Sequence, residues 1–264
     1  MSRDLLDVAL VVARAAATLV QQHAAEGVSV AATKSSDVDV VTEADRASEA
    51  LVRAMLAEQR PDDAVLGEEG DDRPGTSGVR WIVDPIDGTT NFLYGLPEYA
   101  VSLAAEVDGE VVAGVVLNAA RGTEYVAWVD ADGVVQSRRD GERIGVRAPA
   151  PLSQRLCATG FSYDADLRVL QATAWVQLIG RVRDLRRHGS CALELCHVAE
   201  GSLDGYFEEG VNLWDHAAGA LVARGAGARF EGSTGVGGRF FALCAPEHGF
   251  DELRAAVVEA GFTA

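Results

Sequence analysis

The segment at residues 81–92, WIVDPIDGTTNF, places two aspartates three positions apart directly behind a short apolar run. The apolar run at 81–83 predicts a buried strand. Pro85 cannot donate a ladder hydrogen bond, so this strand is predicted to end beside Asp84. Asp84 and Asp87, with a backbone carbonyl between them, offer the oxygen ligands that a hard divalent cation such as magnesium takes. A metal that prefers cysteine or imidazole is disfavoured.

Small residues follow the second aspartate and suit a phosphate group. Gly88 permits close approach of the backbone to a ligand, and Thr89 or Thr90 can cap a helix whose free N–H groups favour an anion. A metal site would then lie beside a phosphate site. Because Asp, Pro, Gly and Asn also favour ordinary turns, this segment alone leaves a plain turn as an alternative.

Two more acidic segments lie before and after this one in the chain. Residues 67–69 read GEE before a polar loop, and residues 214–219 read WDHAAG next to a predicted helix. The three segments, in this order, resemble the signatures of the inositol monophosphatase family, and residues 84–89 match its motif D-P-[ILV]-D-G-[ST]. The resemblance implies an α/β (α+β) fold with alternating helix and sheet layers, αβαβα. It also implies a single domain, 1–264, with halves at about 1–150 and 151–264.

The resemblance further implies a magnesium centre with two or three ions in one active site. Its expected metal ligands are Glu68, Asp84, the carbonyl of Ile86, Asp87 and Asp215. Its expected catalytic residues are Glu68, Thr89 and Asp45, which would orient a metal-activated water. Its expected substrate contacts are Asp87, Gly88, Thr89, Gly189, Ser190, Cys191 and Glu208.

Several of these residues have simpler interpretations. Asp45 alone would be an acid in the first turn of a helix, favoured by the helix dipole. Helix capping would account for Asp215, and Glu208 would be an exposed acid before a glycine. Lys34 falls where the family often has a lysine near the active-site loop, with a solvated surface lysine as the alternative.

The family resemblance predicts hydrolysis of inositol 1-phosphate by direct attack of water, inhibition by lithium, and a homodimer. Alternative substrates for the same metal core are histidinol phosphate, fructose 1,6-bisphosphate and 3′-phosphoadenosine 5′-phosphate, although no aromatic or basic pocket for a base is recognisable. A covalent aspartyl phosphate normally needs D-x-D, whereas Asp84 and Asp87 are three positions apart. A non-catalytic metal-binding regulatory protein is a further alternative. The spacing does not fit an EF-hand calcium loop.

The composition is that of a folded, acidic protein. The 264 residues are 48% apolar, which is ample for a core, and the net charge is −17. Polyanion binding needs clustered lysine and arginine, so this charge argues against nucleic-acid or anionic-membrane partners. The expected partner is a small phosphate ester. The basic run at 181–188 predicts an exposed strand or sheet edge, with phosphate binding as the alternative.

The cysteines and the N-terminus indicate where the protein functions. Cys157, Cys191, Cys196 and Cys244 lack zinc-site spacing and are expected to be reduced, buried thiols, which indicates a reducing compartment. The apolar run near the N-terminus is interrupted by charges and has helical periodicity. It therefore predicts an amphipathic helix at about 4–25 rather than a signal peptide, and we expect a cytoplasmic protein.

Periodicity and turn residues predict the remaining elements. Helices are expected at about 43–59, 167–179 and 191–199, from directly after Asp215 to about 224, and from about 251 onward. Runs at 99–107 and 110–118, joined by Asp108-Gly109, predict a β-hairpin that 123–129 continues as an antiparallel sheet. A strand is expected at 156–161. The glycine-rich stretch 232–238 lacks P-loop residues and is predicted to be a loop.

Overall fold

The computed structural model describes residues 2–28, 30–33 and 40–263. Lys34, the lysine predicted near the site, lies outside these residues. The α-helices are α1 (Ser2–Glu26), α2 (Glu43–Gln59), α3 (Thr89–Tyr94), α4 (Ala165–Leu178), α5 (Cys191–Ala199), α6 (Leu213–Gly225) and α7 (Phe250–Ala260). The strands are β1 (Val30–Thr33), β2 (Val40–Thr42), β3 (Ala64–Gly67), β4 (Val79–Asp87), β5 (Ala100–Val107), β6 (Glu110–Asn118), β7 (Glu124–Val129), β8 (Val135–Arg139), β9 (Glu142–Arg143), β10 (Leu156–Thr159), β11 (Asp184–Arg186), β12 (Gly205–Glu209), β13 (Ala228–Thr234) and β14 (Phe240–Pro246).

The strands form two large sheets and one small hairpin. The seven-stranded sheet has the order β3-β4-β5-β6-β7-β8-β9 and is antiparallel except for the parallel pair β3–β4. The five-stranded sheet has the order β11-β10-β12-β14-β13 and mixes parallel and antiparallel pairs. Strands β1 and β2 pair with each other. Parallel pairs need crossover connections, and in the five-stranded sheet these include α4 and α5.

Three buried clusters show how the helices and sheets are layered. The first joins α1 and α2 to one face of the seven-stranded sheet, and the second joins α5 and α6 to both sheets. The third joins α4 and α7 to the other face of the five-stranded sheet. Along β12, Tyr206 packs in the second cluster and Phe207 in the third, as the alternation of side chains in a strand requires. The predicted alternation of helix and sheet layers is therefore confirmed.

Strand β4 does not end beside Asp84, so that prediction was wrong. The strand continues to Asp87, and its register with β5 shifts between the pairs Asp84–Ser102 and Asp87–Ala100. Two residues of β4, including Pro85, thus face one residue of β5, as in a β-bulge. A bulge tolerates proline because it leaves a residue outside the regular ladder. The irregularity lies directly between the two aspartates of the motif.

The start of β4 is anchored through Asp63, which is almost fully buried. Its carboxylate accepts hydrogen bonds from the indole Nε1 of Trp81 at 2.9 Å, the hydroxyl of Ser77 at 2.6 Å and Nε of Arg60 at 2.7 Å. Burial alone would raise the pKa of Asp63, but these hydrogen bonds outweigh it and hold the pKa below its ordinary value. The motif tryptophan therefore has a structural role.

Most other element predictions agree with the structure to within two residues. Asp108 and Gly109 both have positive φ, as a two-residue hairpin turn of type I′ requires. The basic run contributes β11, an edge strand of the five-stranded sheet. Three bounds differ: β10 ends at Thr159, β13 extends to Thr234 into the predicted loop, and α6 begins before Asp215. Among the described residues, no helix combines the length and apolar character needed to cross a membrane.

Candidate active site

A cavity of about 520 Å³ opens between the two large sheets. Its walls include ten of the twelve predicted site residues, namely Glu68, Asp84, Ile86, Asp87, Gly88, Thr89, Gly189, Cys191, Glu208 and Asp215. Asp45 and Ser190 are fully buried behind this wall. The alternation of side chains along strands explains why these residues converge. Ile82 and Tyr206 pack in the second cluster, which lies between the two large sheets. Asp84 and Glu208 are two residues further along the same strands, so their side chains are on the same side as these two residues.

Strand β4 supplies three of the candidate ligands, and the residue after it, Gly88, begins the turn into α3. The backbone N–H of Ile86 donates to a carboxylate oxygen of Asp84 at 3.0 Å, which fixes that side chain across the bulge. Gly88 has φ of +96°, and a Cβ there would lie 2.8 Å from the carbonyl oxygen of Glu98. Glycine is therefore required for both conformation and space at the start of α3.

Asp45 lies behind Thr89 and holds it. Its carboxylate accepts the backbone N–H of Thr42 at 2.8 Å and the Thr42 hydroxyl, and the two residues form the capping box of α2. The Thr89 hydroxyl lies 3.1 Å from the Asp45 carboxylate and 3.1 Å from the Ile86 carbonyl oxygen. Burial raises the pKa of Asp45, although these hydrogen bonds oppose the rise. Asp45 therefore both caps its helix and contacts the predicted catalytic threonine.

Asp87 is held by the first turn of α5. One of its carboxylate oxygens accepts from the Ser190 hydroxyl and from the Ala192 backbone N–H, both at 2.6 Å. Burial raises the pKa of Asp87 to about 7 despite these bonds. The Ser190 hydroxyl also accepts the N–H of Leu193, so it caps α5 as predicted. The Ser190 side chain thus faces Asp87 rather than the cavity, and Ser190 is not among the residues that line the wall.

The loop carrying Glu68 is fixed by Glu49, a residue that the sequence analysis missed. The Glu49 carboxylate accepts the backbone N–H groups of Glu69 at 2.7 Å and Gly70 at 2.9 Å, and pairs with Nε of Arg53 at 2.7 Å. A side chain at Gly67 would overlap the Glu49 carboxylate. Glu49 looked like one more acid of an amphipathic helix, and only its burial against this loop reveals the contact.

Asp215 completes the group of candidate metal ligands from the opposite wall. It lies in the first turn of α6, where its carboxylate accepts the backbone N–H of Asn212 at 2.5 Å in a capping box. The expectation that Asp215 precedes the helix was wrong, because Asn212 is the N-cap residue. Capping and exposure to the cavity are compatible here, since Asp215 also lines the wall.

The electrostatics of the cavity favour the binding of a positive charge. Burial, followed by repulsion from Glu68, Asp87 and Asp215, raises the pKa of Asp84 well above its ordinary value. Burial and repulsion from the neighbouring carboxylates do the same to the pKa of Asp215. Like charges are held this close only when a counter-charge is available or a proton is bound. The donor set consists of oxygens alone, so these residues fit magnesium.

Strand β12 contributes a further carboxylate, that of Glu208, to the cavity wall. The Glu208 carboxylate accepts the Tyr206 hydroxyl at 2.8 Å. Burial raises the pKa of Glu208 to about 7, although the Tyr206 hydrogen bond and the charge of Arg187 oppose the rise. A side chain at Gly160 would overlap this carboxylate. Burial also raises the pKa of the Cys191 thiol well above its ordinary value.

Sequence analysis also missed aromatic and basic residues of the wall. These are Phe161, Phe240, Arg187 and Arg239, which line the cavity together with Tyr163. Arg187 belongs to the basic run at 181–188, so the phosphate-binding alternative for that run contained a usable signal. Phe161 and Tyr163 come from the segment after β10, and Phe240 begins β14, so their presence on one cavity wall depends on the packing of the five-stranded sheet.

Comparisons with known proteins agree with this geometry. A family model described as the inositol monophosphatase family matches residues 1–259. The inositol-1-monophosphatase SuhB of Mycobacterium tuberculosis is 43% identical over 242 residues, which cover 89% of this chain and 83% of that protein. The Nus factor SuhB of Escherichia coli K12 is 34% identical over 236 residues, which cover 88% and 86% of the two chains. The crystal structure of the extragenic suppressor protein suhB from Bartonella henselae matches with a TM-score of 0.86 and 30% identity, covering 96% of this chain and 98% of that one. The chain therefore belongs to the inositol monophosphatase family, a family of phosphatases.

Proposed function

We propose that the chain is a magnesium-dependent phosphomonoesterase that hydrolyses inositol 1-phosphate to inositol and phosphate. The observation that carries this proposal is the convergence of four acidic side chains, Glu68, Asp84, Asp87 and Asp215, on one cavity. The pKa values of the three aspartates are raised within this group. Such a group is expected to bind cations, and a cation-loaded cavity recruits an anionic ester to an otherwise acidic protein.

Magnesium is the ion on which this family generally depends, and two or three ions are expected from the resemblance. The residues that would hold it are Glu68, Asp84, the Ile86 carbonyl, Asp87 and Asp215. When bound, magnesium would stabilise negative charge on the phosphoryl group and lower the pKa of water.

The residues around Thr89 have the contacts needed to position the attacking water. The Thr89 hydroxyl is held between Asp45 and the Ile86 carbonyl, so its orientation is restricted before any substrate arrives. Glu68 lies on a loop that Glu49 fixes through two backbone hydrogen bonds. The first turn of an α-helix leaves backbone N–H groups without partners in the helix, and we expect those of α3 to bind phosphate oxygens.

The leaving group would occupy the Glu208 end of the cavity. A carboxylate accepts hydrogen bonds from hydroxyl groups, and Glu208 is oriented by Tyr206. We propose that Glu208, with the backbone at Gly189 and Cys191, contacts the inositol hydroxyls. This assignment favours a compact polyol. Phe240 and Arg187 also line the cavity and are possible contacts for a larger ester.

The test is phosphate release with magnesium from inositol 1-phosphate, histidinol phosphate, fructose 1,6-bisphosphate and adenosine 3′,5′-bisphosphate, each with and without lithium. Preference for inositol 1-phosphate, suppressed by lithium, is the expected result. Preference for another ester would keep the metal site and refute the assignment of the leaving group. Oxygen from labelled water should enter phosphate directly, whereas phosphate trapped on the protein by acid quenching would indicate an aspartyl phosphate.

Failure to turn over any of these esters with magnesium bound would favour a non-catalytic role, the alternative suggested by the name Nus factor SuhB of the Escherichia coli relative. The proposed homodimer is checked separately by light scattering of the full chain during size-exclusion chromatography. A monomer at assay concentration would remove the dimer from the proposal without affecting the metal chemistry.

A further inference from the structure

Three side chains outside the carboxylate cavity form a compact group of possible metal ligands. Glu194 and His197 are three residues apart on α5 and therefore share one face of the helix. His188 lies on the segment that leads into α5. One nitrogen of each histidine and one oxygen of Glu194 all lie within 4.8 Å of one another. The backbone of α5 and of the segment before it therefore brings these three side chains together.

The centre of this group is a buried carboxylate. The Glu194 side chain is only 1% exposed, while those of His188 and His197 are 31% and 18% exposed. One oxygen of Glu194 lies 2.9 Å from Nδ1 of His188 and 3.7 Å from Nδ1 of His197, and the other accepts the backbone N–H of His188 at 3.0 Å. A buried carboxylate needs a partner of opposite charge. The hydrogen bond with Glu194 raises the pKa of His188 above its ordinary value, and a divalent cation held by the three side chains would pair with this carboxylate directly.

We propose that His188, Glu194 and His197 bind a transition-metal cation such as zinc, at a site separate from the magnesium centre. Two imidazoles and one carboxylate are a donor set that zinc takes and magnesium does not favour. Zinc bonds to nitrogen and oxygen are about 2.0–2.2 Å long, so tetrahedral ligand atoms lie about 3.3 Å apart. The observed separations of 2.9, 3.7 and at most 4.8 Å require only small side-chain adjustments. Water would supply the fourth ligand.

The position of this site links it to the substrate cavity. The carbonyl oxygen of His188 accepts a hydrogen bond from Asn91 of α3 at 2.6 Å, and the neighbouring Arg187 and Gly189 line the cavity. A metal joining His188 to α5 would therefore fix the segment 187–189 on the helix that also holds Asp87. The proposal does not depend on the substrate assigned above.

The test uses the untagged full chain and cobalt, whose d–d absorption reports tetrahedral coordination with imidazole, followed by zinc titration in a calorimeter. Saturating magnesium is present so that the carboxylate cavity is occupied. The variants are His188→Gln and His197→Gln. His23→Gln is the matched control at a histidine outside this group, and Asp84→Asn is the control at the carboxylate cavity.

The wild-type chain should bind zinc or cobalt at this site, and each of the two histidine variants should bind at least about tenfold more weakly, because loss of even an outer contact costs about 10- to 100-fold. His23→Gln and Asp84→Asn should keep the affinity and the cobalt spectrum. Zinc should also raise the melting temperature of the wild type more than that of His197→Gln. Unchanged affinity in both His188→Gln and His197→Gln, with circular dichroism showing folded protein, would overturn the proposal, as would loss of the spectrum in Asp84→Asn alone.

Discussion

Replacement of Glu208 by glutamine should make the protein more stable and a poorer enzyme. Burial raises the pKa of this carboxyl from 4.5 to about 7, so the folded state is penalised for ionising it. Each pKa step of one corresponds to about 1.4 kcal/mol, which gives a penalty of up to about 3 kcal/mol. Because the folded pKa is the higher one, the penalty is absent below pH 4.5, grows as the pH rises, and is complete above pH 7.

The assay is urea unfolding in chelator at pH 5 and pH 8. Glu208→Gln should exceed the wild type by up to about 3 kcal/mol at pH 8 and by less than about 1 kcal/mol at pH 5. Glu124→Gln, which loses a surface pair with Arg14, is the matched control and should lie within about 1 kcal/mol of the wild type at both pH values.

The same variant should bind the polyol more weakly. A hydrogen bond to a charged acceptor contributes about 1.5–3 kcal/mol, so KM for inositol 1-phosphate should rise about 10- to 100-fold. KM for p-nitrophenyl phosphate, which has no polyol hydroxyls, should hardly change. Gly160→Ala should raise KM for the inositol ester as well, because the new methyl group displaces the Glu208 carboxylate, but it keeps the ionisable group. A Glu208→Gln variant that is no more stable than wild type at pH 8, or an equal KM change for both esters, would refute the reasoning.

Four further substitutions test the metal ligands and the residues that support the site. Asp84→Asn and Asp215→Asn should each lose most of the phosphate release while circular dichroism shows a folded chain, because ligand charge is removed with little change of shape. Near-normal turnover of a variant at saturating magnesium would exclude that residue as a metal ligand. Glu49→Gln places an amide donor against backbone N–H groups, so it should lower the free energy of unfolding in urea by about 1–3 kcal/mol and should lower kcat. Unchanged values of both would show that Glu49 does not hold the loop that carries Glu68. Asp63→Asn should lower the free energy of unfolding by about 1–3 kcal/mol at pH 7. Because the pKa of Asp63 is depressed in the folded state, this difference should shrink as the pH falls below 4. A difference independent of pH would contradict the role of the charged carboxylate.

The family resemblance predicted the layers, and it rests on motifs whose residues are close together in the sequence. A motif such as that at 84–89 and the cap at Ser190 are read from neighbouring positions. The contact of Ser190 with Asp87, 103 positions earlier, is not local and could not be predicted from spacing. Glu49 was missed for the same reason, since its partners lie 20 and 21 positions away.

Pro85 failed as a strand breaker for a different physical reason. The rule that proline ends a strand concerns the regular ladder, and β4 is irregular at that point. Whether a proline terminates a strand or lies in a bulge depends on the partner strand, whose register is set by the rest of the sheet. The sequence of β4 alone contains no information on that register.

The four cysteines lie in two of the three buried clusters, so their thiols can report which part of the molecule unfolds first. Cys191, Cys196 and Cys244 lie in the core between the sheets, whereas Cys157 lies in the core beneath α4 and α7. Cys157, Cys196 and Cys244 are fully buried and burial raises their pKa values, so their alkylation must wait until water reaches them, whereas Cys191 lines the cavity. The order in which Cys157, Cys196 and Cys244 are labelled under native conditions therefore reports the opening of each core separately. It distinguishes detachment of the outer helices from separation of the two sheets that form the active site.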